Sequence, residues 1–288
     1  MPTSTTKRKP EELRTYYGLY PKFRDVVVEG RDDAAWLRWY LADHQFDDCR
    51  VVAVDDLVDL PSTVVTSHGH MDNGNRARVY TLSQIAAEWR LSETSLTCII
   101  DSDFEIFEET VETEGLLKTD FAAMEVYALG SRPLAKFLGL VKAVQSGPDV
   151  IKALLPLWHM LFVLRYVAPR EVPGSRMVNG FERHGKACTG EDPSRWRPLL
   201  KAIHPIPNKE DCERILGACC TYFERISTDS LQGIRGHDIA PVLIEHLGLK
   251  NHQRDQSVVE QLMRSCVEAR DLDEFPMFKE LRLRVSSV

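Results

Sequence analysis

The fold is decided by the stretch FRDVVVEGRDD at residues 23–33. Its run of three valines ends abruptly in a carboxylate, Glu29. A second stretch, LTCIIDSDF at residues 96–104, has the same design and ends in Asp101 and Asp103. A parallel strand that is covered on both faces reads as a continuous apolar run, and ligands of such sheets bind beyond the carboxyl ends of the strands. Both stretches therefore predict buried strands that carry acids to the ligand-binding edge of a parallel sheet.

The acids at these strand ends form a candidate metal site. Asp33 follows Glu29 by four positions, and Asp103 follows Asp101 by two, so modest turns would aim four carboxylates into one crevice. Four negative charges held together repel one another strongly unless a cation is present. Ligand sets made only of oxygen suit a hard ion such as Mg²⁺ or Mn²⁺. The alternative interpretation assigns the same acids to helix capping and surface ion pairs.

The order of these motifs resembles a known nuclease superfamily. Glu-Gly-x-x-Asp after a first strand, with Asp-x-Asp after a later apolar strand, resembles the Toprim domain of topoisomerases, primases and overcoming-lysogenization-defect nucleases. Two further elements narrow the resemblance from the superfamily to one family: KTDFAAMEVY at residues 118–127 and RGHD at residues 235–238. Together they resemble the Toprim-like domain-of-unknown-function family whose best understood members are effector nucleases of the PARIS anti-phage system. The matching motifs cover residues 22–130. In the rest of the chain the resemblance depends on the Gly-His-Asp element alone.

The resemblance implies a fold, an activity and partners. The expected fold is α/β, a Toprim-like, mainly parallel sheet flanked by helices, followed by a mostly helical C-terminal region. The expected activity is Mg²⁺- or Mn²⁺-dependent endonuclease hydrolysis of phosphodiester bonds, with transfer RNA as the substrate. The implied setting is antiviral defence, in which a toxic effector is controlled by a partner ATPase and forms a homodimer. Since the chain has no Walker A motif, any ATP chemistry must come from that partner.

The resemblance also implies roles for the four acids. Asp101 and Asp103 would hold the metal, which polarises a phosphate and lowers the pKa of a bound water. Glu29 would complete the site or take the proton from the attacking water. Asp33 would contact the metal either directly or through a neighbouring ligand.

Four more residues are candidates for supporting roles. Asp120 and Glu125 match the family's Thr-Asp…Glu element and would add ligands for a second metal. The alternative makes Asp120 the N-cap of a helix and places Glu125 on an exposed helix face. Lys118 and His237 are candidate accessory residues: His237 would contact the scissile phosphate or a partner, or would merely stabilise a turn.

Two other interpretations stay open. The stretch TSHGHMDN at residues 66–73, with His68, His70 and Asp72, resembles the zinc motif of metallo-β-lactamase-fold hydrolases, although Asn73 stands where that motif has a histidine. That family requires a β-sandwich, whereas this segment lies within a βαβ pattern. The other interpretation is a non-catalytic, Toprim-shaped scaffold that binds a partner ATPase.

The charge distribution bears on the choice of substrate. The chain has 288 residues and a formal net charge of −7, which counts against a uniformly basic nucleic-acid surface. An acidic run lies at residues 105–114, and a basic stretch lies at residues 165–201, where Trp196 between two arginines suggests a base-stacking platform. The alternative is that both stretches are solvated surfaces. The basic residues are Arg165, Arg170, Arg176, Arg183, Lys186, Arg195, Arg197 and Lys201.

Patterning predicts the organisation of the chain. We expect a polar tail at residues 1–12, a Toprim-like catalytic domain at 13–130 and a mainly helical region at 131–288. The long apolar stretch from Val150 to Val167 contains Lys, Pro, His and Arg residues, so we expect a core helix and not a membrane span. The polar N-terminus and seven scattered cysteines predict a cytoplasmic protein without disulfides. The predicted strands are 22–28, 49–54, 95–101 and 115–118, with a long polar loop between the strand at 49–54 and a helix at 81–90. The other predicted helices are 31–45, one from Asp120, 209–226, 238–247 and 256–270. The helix at 238–247 would have Asp238 as its N-cap, Pro241 in its first turn and Gly248 at its left-handed C-terminal end.

Overall fold

The chain folds into two compact units. The computed structural model describes residues 7–70, 74–89, 95–108, 113–142, 147–174, 196–198, 200 and 208–286. Unit 1 comprises Met1–Asp101, Thr110–Asp120 and Leu272–Val288, and unit 2 comprises Ser102–Glu109 and Phe121–Asp271. The chain therefore leaves unit 1 directly after Asp101 and again directly after Asp120. The predicted α/β class, with a parallel sheet flanked by helices and a helical C-terminal region, is confirmed.

Unit 1 contains a four-stranded parallel sheet with the strand order β2-β1-β3-β4. The strands are β1 Arg24–Val28, β2 Cys49–Ala53, β3 Leu96–Ile100 and β4 Leu116–Lys118. All four agree with the predicted strands. All five residues of β3 are buried, as are the last four of β1, which is why both strands read as unbroken apolar runs.

Helices surround this sheet and form most of unit 2. Those of unit 1 near the N-terminus are α1 Pro10–Leu19, α2 Arg31–Asp43, α3 Val54–Leu57, α4 Ser62–Ser67 and α5 Asn75–Ala87. Those of unit 2 are α6 Ser131–Val141, α7 Gly147–Glu171, α8 Lys209–Phe223, α9 Gly236–Leu247 and α10 Gln256–Cys266. Helix α11 Ala269–Leu272 precedes α12 Pro276–Ser286, which belongs to unit 1.

A buried carboxylate, Asp25, joins the beginning of β1 to α1 and β2. Asp25 is only 1% exposed, and its carboxylate accepts a hydrogen bond from the hydroxyl of Tyr17 at 2.7 Å. Arg50 of β2 binds the same carboxylate through two nitrogens, Nε at 2.9 Å and Nη2. Burial, followed by the negative charge of Asp25, raises the pKa of Tyr17 well above its ordinary value. The Tyr17 hydroxyl therefore stays protonated and remains a donor to Asp25.

The C-terminal helix α12 completes unit 1. Its residues Met277, Phe278 and Leu281 are buried, and the ring of Phe278 packs edge-on against Tyr40 of α2 at 4.7 Å. Asp273, just before this helix, accepts a hydrogen bond from the Tyr40 hydroxyl at 3.0 Å. Helix α12, near the end of the sequence, thus contributes buried side chains to the core of the unit whose sheet is formed by residues 24–118.

Helix α7 is the core helix of unit 2. Trp158, Phe162 and Val163 on this helix are each at most 1% exposed. It is long and apolar enough to span a bilayer, but two thirds of its most apolar window is buried within the protein. Among the described residues no other helix has that length and composition. The predicted core role of the stretch from Val150 to Val167 fits this burial.

Several predicted elements are wrong. No α-helix starts at Asp120; bends lead instead into a 3₁₀ helix over Met124–Leu129. The polar loop predicted before residue 81 contains α3, α4 and the first half of α5, whose mixed polar and small residues give no clear apolar period. Helix α9 begins at Gly236 with Arg235 as its N-cap residue, so Asp238 is the third helical residue and Pro241 lies beyond the first turn. Gly248 ends the helix in the predicted left-handed conformation, with φ of 61°.

Candidate functional site

The structure brings Glu29 and Asp101 together at the carboxyl end of the sheet. Strands β1 and β3 are parallel neighbours, with Val27 opposite Cys98, so the residues that follow them emerge side by side. The carboxylate Oε1 of Glu29 accepts a hydrogen bond from the backbone N–H of Asp101 at 3.1 Å. This contact crosses 72 positions of sequence and confirms that these two predicted site residues meet.

The beginning of helix α5 supports the Glu29 end of the site. Asn75, the first residue of this helix, donates a hydrogen bond from Nδ2 to the carbonyl oxygen of Glu29 at 2.8 Å. The contact fixes the backbone at the point where β1 ends. Sequence reasoning missed Asn75, because it placed the residue in a polar loop; the available signal was the Gly74-Asn75 pair before a run of helix-forming residues.

Asp33 lies at the N-terminus of α2. It is in the first turn, where a negative charge complements the helix dipole. Its carboxylate folds back over the N-cap residue Gly30, where a Cβ would come within 3.0 Å of Asp33 Oδ2. Glycine at this position therefore leaves room for the carboxylate directly after Glu29. The role of Asp33 at a metal stays a prediction.

Lys118 and Asp120 lie at the end of the edge strand β4. Lys118 is paired with Ile100, the residue before Asp101, and the next N–H, of Thr119, donates to the Ile100 carbonyl at 3.0 Å. Asp120 Oδ1 accepts a hydrogen bond at 3.3 Å from the N–H of Met277, in the first turn of α12. Asp120 is therefore not the N-cap of a helix of its own, as the alternative expected; it accepts from the first turn of α12, a helix that begins 156 positions later, at Pro276. Its role as a metal ligand stays a prediction.

Asp103 belongs to unit 2 and has an unusual backbone. Its φ is +43°, one of three positive values among the described non-glycine residues. Its N–H donates to the carbonyl of Ala122 at 3.0 Å, and the next residue, Phe104, packs against Phe162 and Tyr166 of α7. Non-glycine residues in left-handed conformations cluster at functional sites, although Asp adopts this region more readily than most.

Glu125 also belongs to unit 2 and contacts an arginine and a helix start. Its Oε1 accepts a hydrogen bond from Arg264 Nη2 at 2.9 Å. Its other oxygen lies against Gly236, the first residue of α9, so closely that any Cβ there would collide with it. Glu125 is therefore mostly buried and paired, with 18% of its side chain exposed, so the alternative of an exposed helix face is wrong. Its role as a metal ligand stays a prediction.

The Gly-His-Asp element is explained largely by packing. Asp238 is 1% exposed, and Arg165 of α7 binds its carboxylate with two nitrogens, Nε at 2.7 Å and Nη2 at 2.5 Å. The Asp238 carbonyl also accepts a hydrogen bond from Trp158 Nε1 at 3.3 Å. His237, between these fixed residues, is exposed.

The donor chemistry of Glu29 and Asp101 fits a hard divalent cation. Both offer carboxylate oxygens at adjacent strand ends, and neither histidine nor cysteine joins them in the contacts described above. The structure does not extend this pair to a complete ligand set: among the described residues no group of three or more His, Cys, Asp or Glu side chains is arranged to hold a metal. A metal-binding role for Glu29 and Asp101, like that of the other predicted ligands, therefore stays a prediction.

Cysteine chemistry does not compete at this site. The six described cysteines are free thiols, and burial raises the pKa of Cys98 in β3 and of Cys49 in β2 to about 12. Thiols with such a pKa are protonated at neutral pH and are poor nucleophiles.

The histidines of the zinc alternative have other contacts. His68 ends α4, and its Nδ1 lies 2.9 Å from the Val64 carbonyl, while the His70 ring packs against Tyr80 at 4.9 Å. Asp72 and Asn73 lie outside the described residues. The sheet is parallel, whereas this alternative requires a β-sandwich.

The basic stretch gives no stacking platform at Trp196. That residue is fully buried, with its ring edge-on to Phe223 at 4.9 Å, so the suggested platform is wrong. Arg170 pairs with Glu108 of the acidic run, and Arg197 pairs with Glu213. Arg176, Arg183, Lys186, Arg195 and Lys201 lie outside the described residues.

Comparison with known proteins adds no family to these observations. No family model matches the chain, and a search of curated proteins finds no match.

Proposed function

We propose that this protein is a metal-dependent nuclease that hydrolyses phosphodiester bonds at the carboxyl end of its parallel sheet. The observation that carries the proposal is the meeting of Glu29 and Asp101 at adjacent strand ends. Ligands of parallel sheets bind at this edge, and paired carboxylates are suited to Mg²⁺ or Mn²⁺. The resemblance of the surrounding motifs to Toprim nucleases supports the same activity.

The residues of unit 1 have separable roles in this proposal. Glu29 and Asp101 would hold the cation, which when bound neutralises the phosphate and activates a water. The Asp101 N–H orients the Glu29 carboxylate through Oε1. Asp33 adds negative charge beside Glu29, and Asp103 is the further metal ligand that the sequence predicts.

The biological setting rests on the resemblance alone. We propose an antiviral effector that cleaves RNA, with transfer RNA favoured, and that a partner ATPase controls in the cytoplasm. Expression of the wild-type protein and of Glu29→Ala in cells, with sequencing of cleaved RNA ends, tests this setting. Toxicity and discrete cut sites are expected for the wild type alone, and neither should appear with the variant.

Purified protein tests the chemistry directly. Wild-type protein, freed from any partner, is expected to cleave RNA or DNA with Mg²⁺ or Mn²⁺ and to stop when EDTA is added. Glu29→Gln keeps an oxygen for the Asp101 N–H but loses the charge, and we expect at least about a 100-fold loss of rate, in the range of a lost catalytic acid or base. Glu88→Gln, which changes an exposed acid at the end of α5, is the matched control and should cleave normally.

Two outcomes would contradict the proposal. Wild-type protein that cleaves neither nucleic acid with either metal, while binding its partner ATPase, would favour the non-catalytic scaffold. A zinc requirement that disappears when His68 and His70 are replaced would favour the metallo-hydrolase alternative.

A further inference from the structure

A charge cluster in unit 2 contains an arginine whose guanidinium, among the described residues, donates no hydrogen bond. The cluster joins the beginning of α9 to α7 and α10 and holds three arginines: Arg165, Arg235 and Arg264. Arg165 binds Asp238 with two nitrogens, and Arg264 binds Glu125. Among the described residues, by contrast, the Arg235 guanidinium forms neither a hydrogen bond nor an ion pair with a carboxylate.

The backbone that carries Arg235 is held rigidly. Arg235 is the N-cap residue of α9, and its carbonyl accepts a hydrogen bond from the Asp238 N–H at 3.0 Å. The next residue, Gly236, lies against the Glu125 carboxylate, and Asp238 is fixed by Arg165 and Trp158. Contacts on both sides of Arg235 therefore fix the point from which its side chain projects.

The surroundings of Arg235 offer charge but, among the described residues, no hydrogen-bond partner for its guanidinium. It is half-buried, so its guanidinium has lost part of its hydration but still reaches solvent. Partial burial, followed by the charge of Arg165, lowers its pKa, although Asp238, Asp103 and Glu125 oppose that shift. The side chain nevertheless stays charged, because an arginine does not deprotonate in proteins. A half-buried cation whose N–H donors have no partner among the residues that the structure describes is suited to an anion with several oxygens.

We propose that Arg235 binds a phosphodiester group of the nucleic acid on which this protein acts, an assignment that rests on the proposed nuclease function. The guanidinium matches a phosphate with two parallel hydrogen bonds, which is the geometry that arginine supplies and lysine does not. Asp103, a predicted metal ligand that also belongs to unit 2, is one of the carboxylates that attract the Arg235 guanidinium. Within the Arg-Gly-His-Asp element, Gly236 and Asp238 thus stabilise the fold, whereas Arg235 would bind the ligand.

Binding without turnover tests the assignment. The probes are fluorescein-labelled 20-nucleotide RNA and single-stranded DNA of mixed sequence, with binding measured in EDTA by fluorescence anisotropy. Arg235→Ala is expected to weaken binding of the preferred probe about tenfold or more, as loss of a charged hydrogen-bond pair would. The slope of log Kd against log salt should fall by about 0.7, the share of one phosphate contact on a single strand. Arg235→Lys should restore only part of the affinity.

Controls separate this contact from charge and from folding. Arg254→Ala removes the same charge from an exposed 3₁₀ turn of unit 2, and binding should stay within about twofold of wild type. Thermal unfolding should show Arg235→Ala and Arg235→Gln to be no less stable than wild type, because the guanidinium donates no hydrogen bond to the described residues of the fold.

Three results would overturn the assignment of Arg235 as a phosphodiester-binding residue. If wild-type protein binds and cleaves nucleic acid but Arg235→Ala binds as tightly with an unchanged salt slope, the assignment is overturned and the nuclease proposal stands. If both variants fail to fold, Arg235 is structural and the assignment is again overturned. Wild-type protein that binds neither probe and cleaves neither nucleic acid would overturn both proposals together.

Discussion

At the scale of single residues, position along a strand decides what a carboxylate does. Asp25 and Glu29 both belong to the β1 segment, four positions apart. Asp25, at the beginning of the strand, is buried and bound by Tyr17 and Arg50. Glu29, just past the end, reaches instead to the neighbouring strand end at Asp101. Only the carboxyl end of a parallel sheet is open to ligands, so the same residue type is structural at one end and a site candidate at the other.

His159 of α7 should make the folded state sensitive to mild acid. It is 2% exposed, and its Nε2 donates to the Ser230 carbonyl at 2.7 Å. Burial lowers its pKa below the ordinary value of 6.5, and the hydrogen bond to Ser230 opposes this only in part. The unfolded chain therefore binds a proton near pH 6.5 that the folded chain does not. Stability is complete above about pH 6.5 and falls as the pH drops below it, by up to about 1.4 kcal/mol per pH unit.

Urea unfolding at pH 7.5, 6.5 and 5.5 measures this effect. His159→Gln, whose amide still donates to Ser230 but does not titrate, should lose less stability than wild type over that range. His252→Gln changes an exposed histidine and should follow the wild-type curve. Equal losses in all three proteins would show that His159 does not bear the acid sensitivity.

At the scale of elements, acids from distant segments lie at helix beginnings. Asp120, after β4, accepts from the Met277 N–H of α12, and Glu125 lies against Gly236 at the beginning of α9. The side chain of Arg235, the N-cap residue of α9, makes no capping hydrogen bond. The first N–H groups of a helix have no partner within it; the Asp120 carboxylate satisfies one of them at α12, and the Glu125 carboxylate lies where it complements the dipole of α9.

Two glycine substitutions in unit 2 should change stability in opposite directions. A methyl group at Gly236 would collide with Glu125 Oε2 and lie 3.1 Å from the Ala123 Cβ, so Gly236→Ala must displace a carboxylate that Arg264 holds. We expect a loss of about 1–3 kcal/mol in the free energy of unfolding. Gly217, inside α8, has no atom within 4 Å of an added Cβ, so Gly217→Ala should stabilise by about 0.5–1 kcal/mol. Chemical denaturation of both variants measures the difference, and equal effects would contradict the packing at Gly236.

The same elements show what the sequence could predict. Strands β1 and β3 were predictable because burial on both faces leaves an unbroken apolar run, and the meeting of Glu29 with Asp101 followed from parallel pairing. The role of Asp120 was not predictable, because its partner Met277 lies 157 positions away. The prediction of Asp238 as an N-cap was wrong for a related reason. Its carboxylate is bound by two nitrogens of Arg165, which lies on another helix, 73 positions earlier. Local patterns predict elements and strand ends, whereas partners distant in sequence decide the use of single side chains.

At the scale of the whole molecule, the sheet depends on both ends of the chain. Unit 1 takes α1 from before β1 and the segment Leu272–Val288 from the end of the sequence. Between them the chain builds unit 2, so the core of unit 1 closes only when its last segment arrives. Contacts of such large sequence separation are costly to form and slow folding.

Phe278 should therefore matter as much as a residue inside the sheet. It is fully buried and packs against Tyr40 of α2, whereas Leu283 on the same helix is 63% exposed. Phe278→Ala is expected to lower the free energy of unfolding by about 3–5 kcal/mol, the range for deleting a buried aromatic ring. Leu283→Ala should cost no more than about 0.5 kcal/mol. Urea unfolding measures both, and hydrogen exchange should show faster exchange in β1 to β4 for Phe278→Ala alone. If the two variants are equally stable, α12 does not form part of the core of unit 1.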